Sequence, residues 1–583
     1  METEYQSDVL IIGAGSAGLR AAIAAREAGA DVVVVEKGAA GESGCTQNSA
    51  SDWMAYGAAF GHADSGDSPH EHWLDIMIKG ALVARPELAR RIADEAPERL
   101  MDLERYGASF DKTDGRFVQI LSDGARFPRA CGKGAETGPE IMRALLSKAR
   151  GIGTRFVDGV MAVDLVVSES TPRRIVGCWG INQHGGRMVR FTAPSVVIST
   201  GGPGDLYWFN VFPDGMTGDG MAMAYRAGAR LVNMEFIQIG PCIVHPVKFA
   251  LSGVFWRMNP RVLNGDGNEF LRERVPEGID VEAALHLKGV SFPFSVRNDS
   301  MYVDLAIAEE MKHGRPGPHG GVMMDISHNP ASEIESKARV PFEHLLAKGI
   351  DIRKEPVEFA PSIQHFNGGV LIDERAAADI AGLFACGEAA GGQHGADRPG
   401  GNALADCQVF GAIAGTEAAR YAAEQKFVDE ADLVRAAAER QLRTLSAVPP
   451  DPGGDWANEV EGLKAAMWSY ASVARDAQGL SEANRILTRM TSRLKRSRPW
   501  NLREFLELRN LLDLGQVIAG AAKLREESRG THYRSDFPKR RDEQWIKQIA
   551  ASRTEAGPKY AVSPVSVPQE IADGLKSGAL KMD

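Results

Sequence analysis

The residues of this chain best suited to chemistry on a ligand begin with a short glycine cluster, Gly13-Ala14-Gly15-Ser16-Ala17-Gly18. Glycines at this spacing permit a tight turn and let backbone N–H groups close on a pyrophosphate at a helix N-terminus. Glu36 follows eighteen residues after Gly18. A carboxylate there accepts hydrogen bonds from ribose hydroxyls and repels a 2′-phosphate. Two further clusters, Ser199-Thr200-Gly201-Gly202 and Gly387-Glu388, offer the same close backbone approach much later in the chain.

Each cluster needs a strand to present it. An apolar, β-branched run at 8–12 reads as a buried parallel strand, followed by a helix over about 17–28 and a second strand at 31–36. Strand, turn, helix, strand and acid thus fall in the order of a dinucleotide-binding unit. Residues 195–199 and 383–386 read as the strands that deliver the two later clusters. A nucleotide held by returns from both halves of the chain is a long one, which points to FAD. NAD as sole cofactor needs only the first half.

The rhythm of alternating helix and strand breaks over about 234–356, which is rich in Pro, Gly, Asn and His and reads as a separate cap. Residues from about 429 to 530 carry periodic Ala and Leu and read as helical. The division expected is an FAD-binding domain from 1–234 and 357–428, a capping domain at 235–356, a helical domain at 429–545 and a peripheral tail at 546–583. The fold class is α/β: a Rossmann-like FAD-binding domain, an inserted α+β cap and a C-terminal helical domain.

Composition excludes several alternatives. The 583 residues are 44% hydrophobic and 25% charged, an ordinary globular balance. A net charge of −10 argues against a nucleic-acid partner. The six cysteines include no C-x-x-C pair, so no zinc or iron–sulfur site is expected within the chain. The N-terminus lacks a basic and apolar leader, and no apolar run could span a bilayer. A soluble, cytoplasmic protein is expected.

Across nearly its whole length the sequence resembles the flavoprotein family of succinate dehydrogenase, fumarate reductase and L-aspartate oxidase. Thr217-Gly218-Asp219-Gly220 resembles that family's T-G-D-G, and Asn233-Met234-Glu235-Phe236 its D-M-E-F. Gly387-Glu388, His394-Gly395-Ala396-Asp397-Arg398 and Gly400-Gly401-Asn402-Ala403-Leu404 resemble G-E…H-G-A-N-R-L-G-G-N-S-L. Glu527-Ser528-Arg529-Gly530, His532, Arg534, Asp536 and Pro538 resemble E-S-R-G-x-H-x-R-x-D-x-P. The resemblance implies hydride transfer between flavin N5 and a carbon beside a carboxylate. It implies cofactor contacts from Gly13, Gly15, Ser16, Ala17, Gly18, Glu36, Lys37, Gly44, Thr46, Thr200, Gly201, Asp219, Glu388, Asn402, Ala403 and Leu404. It also places His365, within H-x-x-G-G, as a substrate-binding imidazole and Arg398 as the carboxylate clamp. A guanidinium can make two parallel hydrogen bonds to a carboxylate, which an ammonium cannot.

The departures are as informative. Gly240 stands where the family's second substrate imidazole belongs, and His245, five residues on, is the available substitute. Ungapped alignment puts Trp256 at the position of the family's proton-delivering Arg and Gly253 at that of its Glu. Arg257 or Arg261 would serve after a local shift, and Arg257 is taken as the third catalytic residue. A missing imidazole and a bulky Trp suggest a reshaped pocket and a substrate other than succinate or fumarate. Gly44-Cys45-Thr46 replaces the S-H-T that carries a covalent flavin in some relatives, so non-covalent FAD is expected. The partners expected are a small carboxylate substrate, a separate electron-transfer protein and a second copy of the chain. The basic run Arg493-Leu494-Lys495-Arg496-Ser497-Arg498 could dock an acidic partner, although such runs are usually solvated faces. Two other readings stand beside the main one: an adenylylsulfate-reductase-like catalytic chain with an iron–sulfur partner, and an electron relay whose substrate site is lost.

Overall fold

The computed structural model describes residues 3–48, 51, 53–169, 172–183, 186–251, 253–425, 430–451, 453–499 and 501–582. At its centre lies a five-stranded parallel sheet in the order Leu383–Ala385, Ser195–Ile198, Val9–Ile12, Val32–Val35, Arg155–Val157. Val9–Ile12 and Val32–Val35 are wholly apolar and buried on both faces, as a parallel strand covered by helices must be. The helices Ser16–Glu27 and Asn402–Glu424 cover the sheet. Although far apart in sequence, the three strands that end in glycine clusters are adjacent: Val9–Ile12 pairs with Ser195–Ile198, which pairs with Leu383–Ala385. All three clusters therefore open at one carboxyl edge, the usual place for a ligand in such sheets.

The cap is built on an antiparallel sheet of Phe249–Ala250, Ile237–His245, Val357–Phe366, Val322–Asp325 and Arg261–Leu263. The strand Val357–Phe366 thus belongs to the cap sheet, whereas the division expected from sequence assigns 357 onward to the FAD-binding part. Its pairing with Ile237–His245 anchors the cap at the root of the flavin domain. Residues 546–583 are not the peripheral tail expected. Lys547–Thr554 pairs with Leu231–Val232 and with Gly557–Pro564, extending a second sheet through Gly369–Leu371. Ile549, Ala550 and Ala551 are buried there. Four helices, Ala431–Ser446, Trp456–Ala471, Ala477–Leu494 and Leu502–Leu524, form the C-terminal helical region. The expected join at 428–429 lies outside the described residues. Among those residues no helix is long and apolar enough to cross a membrane.

Candidate active site

A cavity of about 960 Å³ runs from the glycine turns to the underside of the cap. Its nucleotide end is shaped by close backbone approach. A β-carbon on Gly18 would stand 1.9 Å from the Gly13 carbonyl oxygen, so only glycine lets the helix begin against the turn. At Gly15 a β-carbon would meet nothing within 4 Å, leaving the helix N-terminus open. Among the described residues no side chain caps the helix Ser16–Glu27. Its first N–H groups are the donors that a pyrophosphate fits. The Glu36 carboxylate accepts from Ala14 N at 2.7 Å and from Gly38 N at 3.0 Å, which fixes it beside the turn.

Of the sixteen residues expected at the cofactor, Gly13, Gly15, Ser16, Ala17, Glu36, Lys37, Gly44, Thr46, Thr200, Gly201, Asp219, Glu388, Ala403 and Leu404 line this cavity. Two do not. Gly18 is packed against Gly13, and Asn402 is buried with its Oδ1 3.0 Å from His72 Nε2. Lys37 is turned to protein groups, lying 3.1 Å from Asp219 and 2.7 Å from Glu507. Ala403 and Leu404 open a second uncapped helix, Asn402–Glu424, toward the same space. Cys45 also lines it.

Glu388 lies deep in the cavity wall and accepts from Phe366 N at 3.0 Å and Gly202 N at 3.2 Å. Burial pushes its carboxyl up to about 7, against the opposing pull of those two donors. A carboxyl held higher in the folded chain than in the unfolded one stabilises below about 4.5, and that contribution is lost as pH rises through about 7. The flavin-stripped chain should therefore lose on the order of 3 kcal/mol of stability from this group between those pH values. Urea unfolding of wild type and Glu388→Gln across pH 4.5–8 checks this. The variant should show a flatter profile, and parallel profiles would exclude the assignment.

The other end of the cavity lies under the cap. Arg398 is buried there; its Nη2 donates to Gln238 Oε1 at 2.6 Å and its Nη1 to Pro399 O at 2.9 Å. Its Nε has no hydrogen-bond partner among the described residues. Gln238 is held in turn, donating to Asp397 Oδ1 and to the Arg398 carbonyl. His365 is buried with Nδ1 3.2 Å from Asn367 Oδ1. Burial first, then the charge of Arg398 and the nearby His394, hold its pKa well below the usual range. His365 is thus a neutral imidazole at physiological pH. His394 stands edge-on to it at 5.6 Å but does not line the cavity.

Three expectations about the departures are corrected. Trp256 is not in the pocket: it is buried in the cap, edge-on to Phe359 at 5.9 Å and under Lys288. Arg257, one residue later, lines the cavity at its exposed mouth and donates to Gly289 O at 2.6 Å. Arg261 is paired with Asp325 and does not line the cavity. His245 does not replace the missing imidazole either, since it is exposed and stacks on His319 with ring centroids 3.6 Å apart. The residue beside Gly240 is Gln364, which sequence reading passes over. Only its place directly before His365 could have flagged it.

Residues 8–404 match the FAD binding domain family, and residues 460–572 match the fumarate reductase flavoprotein C-terminal family. The chain belongs to the fumarate reductase and succinate dehydrogenase flavoprotein family. The fumarate reductase (CoM/CoB) subunit of Methanothermobacter marburgensis is 37% identical over 95% of this chain and 98% of its own length. L-aspartate oxidase of Pseudomonas aeruginosa is 29% identical over 92% of this chain and 97% of its own. Among solved structures, Mycobacterium smegmatis Sdh1 superposes with a TM-score of 0.85 at 30% identity, covering 99% of this chain and 97% of that one. The protein is accordingly an FAD-dependent oxidoreductase. The fit is physical as well: the open helix N-terminus, the fixed Glu36 and the three adjoining turns suit a long dinucleotide.

Proposed function

We propose that this flavoenzyme exchanges a hydride with a small carboxylate-bearing substrate seated between the flavin and the cap, and that succinate and fumarate are poor substrates. The observation that carries this reading is the pairing of a buried, prepositioned Arg398 with a neutral His365 in the same cleft. Bound FAD supplies the hydride acceptor or donor at N5. Arg398, held by Gln238 and Pro399, orients a carboxylate so that the neighbouring carbon faces the flavin. His365, oriented by Asn367, donates or accepts a hydrogen bond beside the reacting bond. Arg257 at the mouth provides a second anchor or a proton once substrate draws it in.

Gly240, where the family carries a His, supports a changed substrate rather than a lost one, because the anchor side of the cleft is intact. That favours the enzyme over the pure electron relay. We also propose an electron-transfer partner protein, since the relatives include one that is named as a subunit. Anaerobic half-reactions of the holoprotein with candidate acids test the reading, and flavin that never exchanges electrons with any carboxylate would refute it.

FAD is proposed to be non-covalent, because Cys45 rather than a histidine faces the cavity from the turn after Gly44. Acid precipitation should leave the yellow colour in the supernatant. Flavin retained in the pellet, and lost from it in Cys45→Ser, would show a thioether link instead.

A further inference from the structure

The cap strands Ile237–His245 and Val357–Phe366 slip register beside the cleft. Gln238 faces His365 but Ile239 faces Ile363, so Gln364 is the extra residue of a β-bulge. Successive residues of a regular strand point to opposite faces, and a bulge re-aims one of them. Here the result is that Gln364 and His365, neighbours in sequence, both line the cavity. The room for the amide comes from Gly240: a β-carbon there would stand 2.7 Å from Gln364 Oε1. A side chain at 240 would push the Gln364 amide out of its present place. Gln364 Oε1 is buried and has no hydrogen-bond partner among the described residues.

We propose that Gln364 is a specificity-determining residue, reading an uncharged substrate group that carries an N–H or O–H at the end of the substrate away from Arg398. The inference rests on the carboxylate reading of the cleft given above. An amide cannot become cationic as an imidazole can, so it gives a second carboxylate no opposite charge. The amide carries donors as well as its unmet oxygen, and a carboxylate, which offers only acceptors, can meet the donors but leaves the oxygen without a partner. A carboxamide or hydroxyl supplies the missing donor, and the soft terminal torsion of glutamine lets the oxygen turn to meet it. A buried acceptor left without a donor is costly, which is how such a site rejects the wrong ligand.

The probes are fumaramate, with one carboxylate and one carboxamide, and fumarate, with two carboxylates. Each is titrated into oxidised holoprotein and read by the change in flavin absorbance. Wild type should bind fumaramate more tightly than fumarate, by about tenfold, the effect of one matched against one unmatched polar pair. Gln364→Leu, similar in size, should erase the difference. Gln364→Ala combined with Gly240→His should reverse it. Fumarate binding as tightly as fumaramate to wild type, a ratio unchanged in Gln364→Leu, or no binding of fumaramate at millimolar concentration would each overturn the proposal. If the double variant does not fold, the Gln364→Leu ratio decides. Arg398→Lys separates the two levels: it should weaken both ligands together, and failure to do so defeats the carboxylate reading while the ratio at Gln364 still stands as its own test.

Discussion

Arg398→Lys is expected to lower turnover on the physiological substrate on the order of a hundredfold or more while FAD content stays at the wild-type level. The guanidinium is buried, its two terminal nitrogens are held by Gln238 and the Pro399 carbonyl, and its Nε is left over. That arrangement fixes the plane of the fork before substrate arrives. A lysine ammonium keeps the charge but offers no planar pair of donors, so it can hold the carboxylate without fixing the angle of the C–H bond. The loss should therefore fall on kcat as well as on KM, because orientation matters most in the transition state. A change confined to KM would reduce Arg398 to a simple binding charge. Unchanged FAD content shows that the effect is not a collapsed cofactor site, since Arg398 lies at the cap end of the cavity.

Glu235→Ala should be among the most destabilising single changes in the chain, by about 3–5 kcal/mol, because it removes one of the two carboxylates that balance a buried guanidinium. Glu235 and Arg525 are both fully enclosed and meet at 2.9 Å. Arg525 also pairs with Glu527, and Glu527 with Arg529, all with no exposed side-chain surface. Arg529 reaches on to the Ala81 carbonyl, and Arg475 donates to the Glu235 carbonyl. The network joins the root of the cap, the flavin domain and the end of the helical region. It gives the E-S-R-G-x-H-x-R segment a structural purpose, with its charges turned inward and not toward the cleft. Equilibrium urea unfolding of Glu235→Ala checks the cost. The paired change Glu235→Leu with Arg525→Met should be milder, since removing both ions keeps the buried charges balanced and leaves Glu527 paired with Arg529. A single variant as stable as wild type would show that the network contributes nothing.

How much of this is legible in the sequence follows from the range of the forces involved. The glycine turns are readable because their requirement is steric and local: Gly18 must clear the Gly13 carbonyl. The strands that carry them are readable from β-branched runs, and fourteen of the sixteen cofactor residues fall on one cavity as a consequence of the parallel pairings. The tail strands are not readable, because Lys547–Thr554 finds its partner at Leu231–Val232, far earlier in the chain. Trp256 and Arg257 exchange places because one residue of register at the end of the short helix Gly253–Trp256 decides which of them is core and which faces the cleft. Gln364 is invisible for a related reason: a bulge is a mismatch between two strands, and neither strand reveals it alone.

The central claim is that this cleft exchanges a hydride with a substrate whose carboxylate Arg398 holds. Anaerobic stopped-flow spectroscopy of the holoprotein tests it most directly, following the flavin band as reduced enzyme meets 2-enoic acids and oxidised enzyme meets their saturated counterparts. The expected result is rapid flavin oxidation or reduction by an acid bearing one carboxylate, slow reaction with fumarate and succinate, and loss of the fast phase in Arg398→Lys at equal FAD content. A flavin unresponsive to every acid in both directions, or one that reacts as fast in Arg398→Lys as in wild type, would contradict it.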